Sequence, residues 1–461
     1  MTVAPPLPLV TVLPAGVGVA AELNTALAPV TSDYVLLVEP SATLSPDAVE
    51  VSEAALRRFP ETDLVYGDST DAAGKAMLQR PIFSPVRLRG QDYLGGARVF
   101  RTERLRALGG FREGFDGVHG YDLTLRFAAA GATVLHIPSP LSESSDATGL
   151  AIARRGDRPQ RDGRFADAAA LAVRDHLEAI GVAASIEPQQ YGGFRLRYPI
   201  IGEPLVSLVI PTRGSSATIA GRNRVLIVDA VRGILEKSTY ANIEIVVVVD
   251  DDTPQAVIDE LVEIAGERLR LARWSAPFNF SAKINRGALC ASGDYLVPLN
   301  DDVELITPDW IEVMLGLAQQ PQIGLVGTTL FFEDGTLQHA GHLYRDGGAG
   351  HIGLGWQPDW DDRLDSLSVD REVSGVTAAC AMLSTETFWR VGGFSTLLPG
   401  NYNDADLSLK IRRTGESVVW TPHARLYHFE SKSRVATIAP SELVTIQGRW
   451  GSEMQLDPYW P

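Results

Sequence analysis

A chain of 461 residues that is 45% hydrophobic and 21% charged has the composition of a folded globular protein with room for two or three domains. Its 57 acidic and 41 basic residues give a net charge of −16, which argues against nucleic acid as a partner, because phosphate binding needs a basic face. Cys290 and Cys380 make no disulfide framework, read as buried thiols and fit a reducing cytoplasm, and no apolar run reaches the ~18 residues of a membrane span.

Residues 7–30 are apolar but lack a basic leader, and they fall in register with an internal repeat, so they read as folded domain. Within them, 9–13 read as a strand, followed by a glycine-containing turn and a short helix over 20–27; a buried strand over 34–38 comes next. Ser45-Pro46-Asp47 opens a helix, since Ser caps and Pro suits the first turn. Gly109-Gly110 terminates another helix, and Gly131 ends one over 121–130. Residues 154–164 are charged and read as exposed, and 166–180 have helical periodicity ending at Gly181. The span 146–204 thus reads as a linker with one helix.

An apolar strand over 206–210 leads into Pro211-Thr212-Arg213-Gly214. A helix over 225–237 and a strand over 243–249 follow, the strand ending at Asp250-Asp251-Asp252; a further strand over 295–299 ends at Asn300-Asp301-Asp302. Strands buried on both faces and alternating with helices predict an α/β fold with a mostly parallel sheet. Such sheets bind ligands at the carboxyl ends of their strands, where all three polar clusters fall. Residues 436–461 form a tail expected to pack back through Trp450, Tyr459 and Trp460.

The chain also contains a damaged copy of itself. Asp33-Tyr34-Val35-Leu36-Leu37-Val38-Glu39-Pro40-Ser41 aligns with Asp294-Tyr295-Leu296-Val297-Pro298-Leu299-Asn300-Asp301-Asp302, and Asn24 and Asn285 each lie nine residues before the Asp-Tyr pair. Downstream, Leu108-Gly109-Gly110-Phe111 matches Val391-Gly392-Gly393-Phe394, and Tyr121-Asp122-Leu123 matches Ala405-Asp406-Leu407. The first copy has Gly120 for Asp404, Ser144 for His428 and no equivalent of Asp301 or Asp302. It begins at a point equivalent to about residue 270, so it lacks the first half of the full copy.

That contrast separates chemistry from structure. Adjacent Asp301 and Asp302 repel and call for a hard divalent ion or for donors, though a turn cap and a solvated acid would look the same. Asp406 keeps an equivalent in Asp122 and reads as structural; Asp404 has none and reads as a general base rather than a helix cap. His428 reads as a metal ligand or as a satisfied core group. Gln338-His339-Ala340-Gly341-His342 and His351 form a histidine cluster, read as a loop lining an acceptor site rather than as a zinc site.

With Pro211-Thr212-Arg213, Asp250-Asp251, Asn300-Asp301-Asp302, Asn403-Asp404-Ala405-Asp406 and Tyr427-His428 in that order, the chain resembles the glycosyltransferase family 2 enzymes of GT-A fold. The tandem transferases of bacterial surface-polysaccharide and O-antigen clusters share its layout, and Arg112-Glu113-Gly114-Phe115, Pro277-Phe278-Asn279-Phe280-Ser281 and Asp457-Pro458-Tyr459 look like segments of that group. The resemblance implies a degenerate domain over 1–145, the linker over 146–204, a catalytic GT-A domain over 205–435 and the tail over 436–461. It implies that Pro211, Thr212, Arg213, Asp250 and Asp251 hold the nucleotide, with Asn285, Arg286, Asn300 and Asp301 near the nucleotide-sugar. Asp302 and His428 would bind Mn²⁺ or Mg²⁺, and Asp404 would deprotonate the acceptor with inversion at the sugar carbon. The implied donor is a UDP- or dTDP-sugar, and the implied acceptor a glycan or lipid-linked hydroxyl. A cytoplasmic protein is expected, with peripheral contact at the inner face of the membrane and homo-oligomerisation left open. Asn300 departs from the usual first Asp of the metal motif, which leaves the ligand set open. The rival readings are a non-catalytic glycan-binding scaffold and a nucleotidyltransferase; the latter would want a basic, glycine-rich phosphate loop that Pro211-Thr212-Arg213-Gly214 supplies poorly.

Overall fold

The computed structural model describes residues 9–13, 19–39, 42–71, 77–144, 152–154, 165–189, 193–362, 364–429 and 438–461. The expected turn before the first helix, Pro40-Ser41 and most of the charged stretch over 154–164 lie outside the described residues. The chain forms two units: Met1–Arg197 with Asp359–Val369 and Pro458–Pro461, and Tyr198–Pro358 with Asp370–Asp457.

The first unit is built on a sheet ordered Val10–Val12, Tyr34–Val38, Ala97–Arg101, Leu64–Asp71, Val134–Ser144, Ala42–Leu44, with Met77–Leu78 beside Leu64–Asp71. Every side chain of Tyr34–Val38 is buried, which is why its sequence is an unbroken apolar run. The helix Ala48–Arg58 buries Ala48, Ser52 and Leu56, one stripe at four-residue spacing, and Leu56 joins Leu36, Val65, Val99 and Leu141 in the core. The helix Ala166–Ala179, read from sequence as part of a linker, is integral to this unit: His176 Nδ1 meets the Leu125 carbonyl at 2.9 Å and Asp175 pairs with Arg112 at 2.7 Å. Trp360–Asp362 pairs with Ile152–Arg154, and the buried Arg87 donates to the Leu364 carbonyl and the Ser366 hydroxyl.

The sheet of the second unit is ordered Leu269–Trp274, Ile243–Asp250, Val206–Thr212, Tyr295–Pro298, Ala381–Ser384, Ile323–Phe331, Ser417–His428, Val303–Leu305. The first four strands run parallel, so Val206–Thr212 and Ile243–Asp250 deliver their polar ends to one edge. The helices Leu226–Lys237, Gln255–Ala265 and Phe280–Cys290 complete the expected α/β class. Part of the tail packs here: the helix Pro440–Trp450 sets Ile446 and Trp450 against Leu398, Ala405 and Leu409. Cys380 is buried, which pushes its thiol up to about 12; Cys290 is half-buried and also free.

The two sheets share the order and sense of five strands. Tyr34 through Leu44 and Val134–Ser144 repeat the arrangement from Tyr295 through Leu305 and Ser417–His428, down to Ala42 opposite Ser144 where Val303 faces His428. One expectation needs correction. The sequence register equates residues 9–13 with the edge strand Leu269–Trp274, yet Val10–Val12 pairs directly with Tyr34–Val38, in the place Val206–Thr212 occupies beside Tyr295–Pro298. Val10–Val12 thereby covers the apolar edge that Tyr34–Val38 would otherwise expose.

The repeated asparagines act alike. Asn285 donates to the Phe394 carbonyl and accepts from its amide, both at 2.9 Å; Asn24 does the same to Phe111, at 2.8 and 2.9 Å. A Cβ at Gly393 or Gly110, both at positive φ, would come within 2.7 or 2.6 Å of the clamping oxygen, which explains the glycine before each Phe. Replacing Asn285 with Ala leaves two backbone groups unpaired, so we expect a loss of about 1–3 kcal/mol. A urea titration checks this: an unchanged unfolding midpoint would refute the clamp.

Candidate functional site

A cavity of about 610 Å³ opens in the second unit where the parallel strands end. Pro211, Thr212, Arg213, Lys283, Asn300, Asp301, Asp302, Asp404 and His428 line it, together with Gln338, His342, His351 and Tyr402. Residues more than a hundred positions apart in sequence thus share one wall. Strand Val206–Thr212 delivers Thr212, the turn after Tyr295–Pro298 delivers the acids, and the end of Ser417–His428 delivers His428.

The Thr212 hydroxyl donates to Asp301 Oδ2 at 2.5 Å and accepts from the Gly214 amide at 2.9 Å, which fixes the loop after the strand. Burial, reinforced by the adjacent Asp302 charge, pushes Asp301 up to about 7. Burial also opposes ionisation of Asp302, but His428 outweighs it and holds that carboxyl below its usual value. The proton positions on His428 follow from its neighbours. Its Nδ1 lies 2.8 Å from Gln338 Oε1, which only accepts, and its Nε2 lies 2.9 Å from Asn300 Nδ2, which only donates. In the neutral ring the proton then lies on Nδ1 and the Nε2 lone pair faces Asp302 Oδ1, 3.2 Å away; in the protonated ring, the form that holds Asp302 down, the same nitrogen pairs with that carboxylate. A ring nitrogen and a carboxylate converging, with the other ring nitrogen held by a hydrogen-bond acceptor, are donors of the kind that could hold a divalent ion.

Asp404 begins the helix Asn403–Arg413. Its Oδ1 accepts from the Ala405 amide at 2.8 Å, and Oδ2 lies 3.6 Å from His342 Nε2. Burial alone would raise its pKa, but His342, by its charge and its hydrogen bond, brings it down to about 2. Tyr402, just before the helix, sits at φ 58°, a left-handed conformation costing about 1–3 kcal/mol for a non-glycine residue. Such strain persists where a site needs it, and Tyr402 lines the cavity. Asp406 faces away and is structural: it accepts from Trp450 Nε1 and Arg449, each at 2.8 Å. Asp122 in the first unit likewise binds Arg112 and Arg126.

On the opposite side, Asp250 pairs with Lys283, and Arg213 reaches Asp250 and Asp252 at 3.7 and 3.5 Å. Asp251 accepts from Ser275 at 3.1 Å. Asn285 and Arg286, expected beside the donor, do not line the cavity: Asn285 spends its amide on Phe394, and Arg286 is exposed on the helix Phe280–Cys290. Lys283 takes the place intended for them. It is buried, lines the cavity and stands as a cation among acids. The signal for it was a lone Lys in the otherwise uncharged run Phe280-Ser281-Ala282-Lys283-Ile284. Gln338 was named only as a neighbour of the histidines; its hold on His428 depends on a contact across 90 residues that no local pattern encodes.

Residues 207–392, which lie in the second unit, match the family model of glycosyl transferase family 2. The chain is 32% identical over 428 residues to the O-antigen biosynthesis protein RfbC of Myxococcus xanthus, covering 90% of this chain and 32% of that protein. It is also 32% identical over 457 residues to the uncharacterized protein y4gI of Sinorhizobium fredii, covering 94% of this chain and 49% of that one. The chain thus spans half or less of these two relatives. It is 24% identical over 205 residues to the N-acetylglucosaminyl-diphospho-decaprenol L-rhamnosyltransferase of Mycobacterium tuberculosis, covering 40% of this chain and 64% of that enzyme. Among the described residues no helix is long and apolar enough to cross a membrane.

Proposed function

We propose that the second unit is an inverting glycosyltransferase that moves a sugar from a nucleoside-diphosphate sugar to a hydroxyl of a glycan or lipid-linked acceptor in bacterial surface-polysaccharide synthesis. The observation that carries this reading is that Asp302, His428 and Asp404, all missing from the first copy, line one cavity with Thr212 and Lys283. Asp302 and the bare Nε2 of His428 fit Mn²⁺ or Mg²⁺, with Asp301 beside them; a bound ion there would offset charge on the leaving diphosphate. Thr212, Pro211 and Arg213 would face the nucleotide from the cavity wall, Asp250 and Asp251 stand outside the lining with Asp250 holding Arg213 and Lys283, and Lys283 adds a cation facing the phosphates. Asp404 takes the proton of the acceptor hydroxyl. That oxygen bonds to the anomeric carbon from the face opposite the nucleotide, whose carbon–oxygen bond breaks as the diphosphate leaves. The names of the Myxococcus and Mycobacterium relatives favour an O-antigen or lipid-diphosphate-linked acceptor over a soluble one, and with it a peripheral position at the inner leaflet. A UDP- or dTDP-sugar is the donor class to test first.

The first unit, on this reading, is a degenerate transferase domain. Glu39 stands where the second unit has Asn300, and a Cβ at Gly120, the counterpart of Asp404, would lie 2.0 Å from Glu39 Oε1 and 3.2 Å from Arg98 Nη1. Arg98, itself held by Asp92 at 2.6 Å and Thr124 at 3.0 Å, fills the place of the base. We therefore expect Gly120→Asp to destabilise the protein and confer no second activity; thermal unfolding and a turnover assay check both.

Product analysis tests the main reading. Incubation of nucleotide-sugars with the protein and an envelope extract should release free nucleoside diphosphate. Pyrophosphate would instead support nucleotidyl transfer, and the absence of both turnover and nucleotide binding would support the scaffold reading.

A further inference from the structure

His339, His342 and His351 place ligating atoms within 4.8 Å of one another, as a zinc centre would. Their hydrogen bonds argue otherwise. The Thr377 amide donates to His339 Nε2 at 3.2 Å, so that nitrogen is bare and the neutral ring carries its proton on Nδ1. His339 Nδ1 lies 2.7 Å from His351 Nδ1 and donates to it, so His351 carries its own proton on Nε2. An ion between the two Nδ1 atoms would need the lone pair of one nitrogen that is protonated and of another that is already accepting. His428 differs, with its Nε2 turned toward the Asp302 carboxylate, 3.2 Å away.

His351 sits in the hairpin strand Gly348–His351, opposite His342, and lines the cavity with Asp404. Its Nε2 has no hydrogen-bond partner among the described residues, and the partly buried ring lines the cavity. The rings of His339 and His342 pack against it, at 4.8 and 5.6 Å between centroids, and fix its direction.

We propose that the His351 Nε2–H is the hydrogen-bond donor that positions the acceptor sugar at Asp404, and that His339 is a positioning residue that sets the His351 tautomer. The recognised chemistry is a polyol: His351 donates to one sugar oxygen while Asp404 accepts from the reacting hydroxyl. This rests on the transferase reading above. Burial keeps the arrangement neutral across the working range, holding His351 down to about 4 and His339 well below its usual value.

Two measurements on the full chain test it. In ¹⁵N-histidine-labelled protein, His351 should be protonated on Nε2 and His339 on Nδ1, with no change on adding EDTA. In transfer to an envelope glycan extract, His351→Phe should raise the acceptor KM about tenfold, the effect of one lost hydrogen bond, with nucleoside diphosphate affinity kept within twofold. His339→Leu should give His351 a mixed tautomer and a smaller rise in KM. A proton on His351 Nδ1, an unchanged acceptor KM in His351→Phe, or a bound ion that persists in Asp302→Ala and is lost in His351→Phe would each overturn the proposal. Absence of transfer by the wild type would instead overturn the transferase reading, and the tautomer measurement would still judge the histidines.

Discussion

Asp302→Ala is expected to abolish Mn²⁺-dependent binding of nucleoside diphosphate. Loss of a hydrogen-bond partner behind a metal ligand costs about 10–100-fold in metal affinity, so loss of the ligand itself should exceed about 100-fold. Calorimetric titration with and without Mn²⁺ reads this directly, and retained metal-dependent binding would move the site away from Asp302. The pair also sets a pH dependence. The folded pKa of Asp301, about 7, lies above its unfolded value, so the protonated carboxyl is favoured in the native state. Its contribution to stability is complete below the unfolded value and lost as pH rises through about 7. The metal-free protein should therefore melt at lower temperature at pH 8 than at pH 6, and Mn²⁺ with a nucleoside diphosphate should reverse that trend. Because the ion prefers the ionised pair, binding near pH 6.5 should release protons, seen as a dependence of the calorimetric heat on buffer.

The sequence carried the fold class because apolar runs such as Ile243–Asp250 and Tyr34–Val38 bury every interior position and sit between amphipathic helices. It singled out Asp302, Asp404 and His428 through the internal repeat, whose first copy lacks those groups, and the structure brings all three to one cavity. Pairing was less legible. Nothing local tells residues 9–13 to pair with Tyr34–Val38, since a parallel pairing across an intervening helix is a long-range contact. Asn285 misled for a related reason. Its presence in both copies was itself the sign of a structural role, the same logic that set Asp406 apart from Asp404. Proton placement on His428 and His351 depends on partners such as Gln338 and Thr377 that become neighbours only in the folded chain.

Asp404→Asn is expected to lower transfer by about 10²–10⁴-fold, the usual contribution of a positioned base, while nucleoside diphosphate affinity stays at the wild-type level. The amide is nearly isosteric and retains an oxygen for the Ala405 N–H, so the helix start survives. It loses the capacity to take a proton. The resting carboxylate, held at about 2, is ionised at every working pH but is a weak base. Filling the cavity excludes water and deepens the burial that opposes ionisation, which raises its proton affinity when the acceptor arrives. The acid limb of the pH profile should therefore differ between the free enzyme and its substrate complex, lying higher in kcat than in kcat/KM. His342, 3.6 Å away, sets how much higher. If Asp404→Asn retained more than about a tenth of wild-type turnover, well above the expected range, Asp404 would be an electrostatic or structural group, and the proton would have to leave by another route.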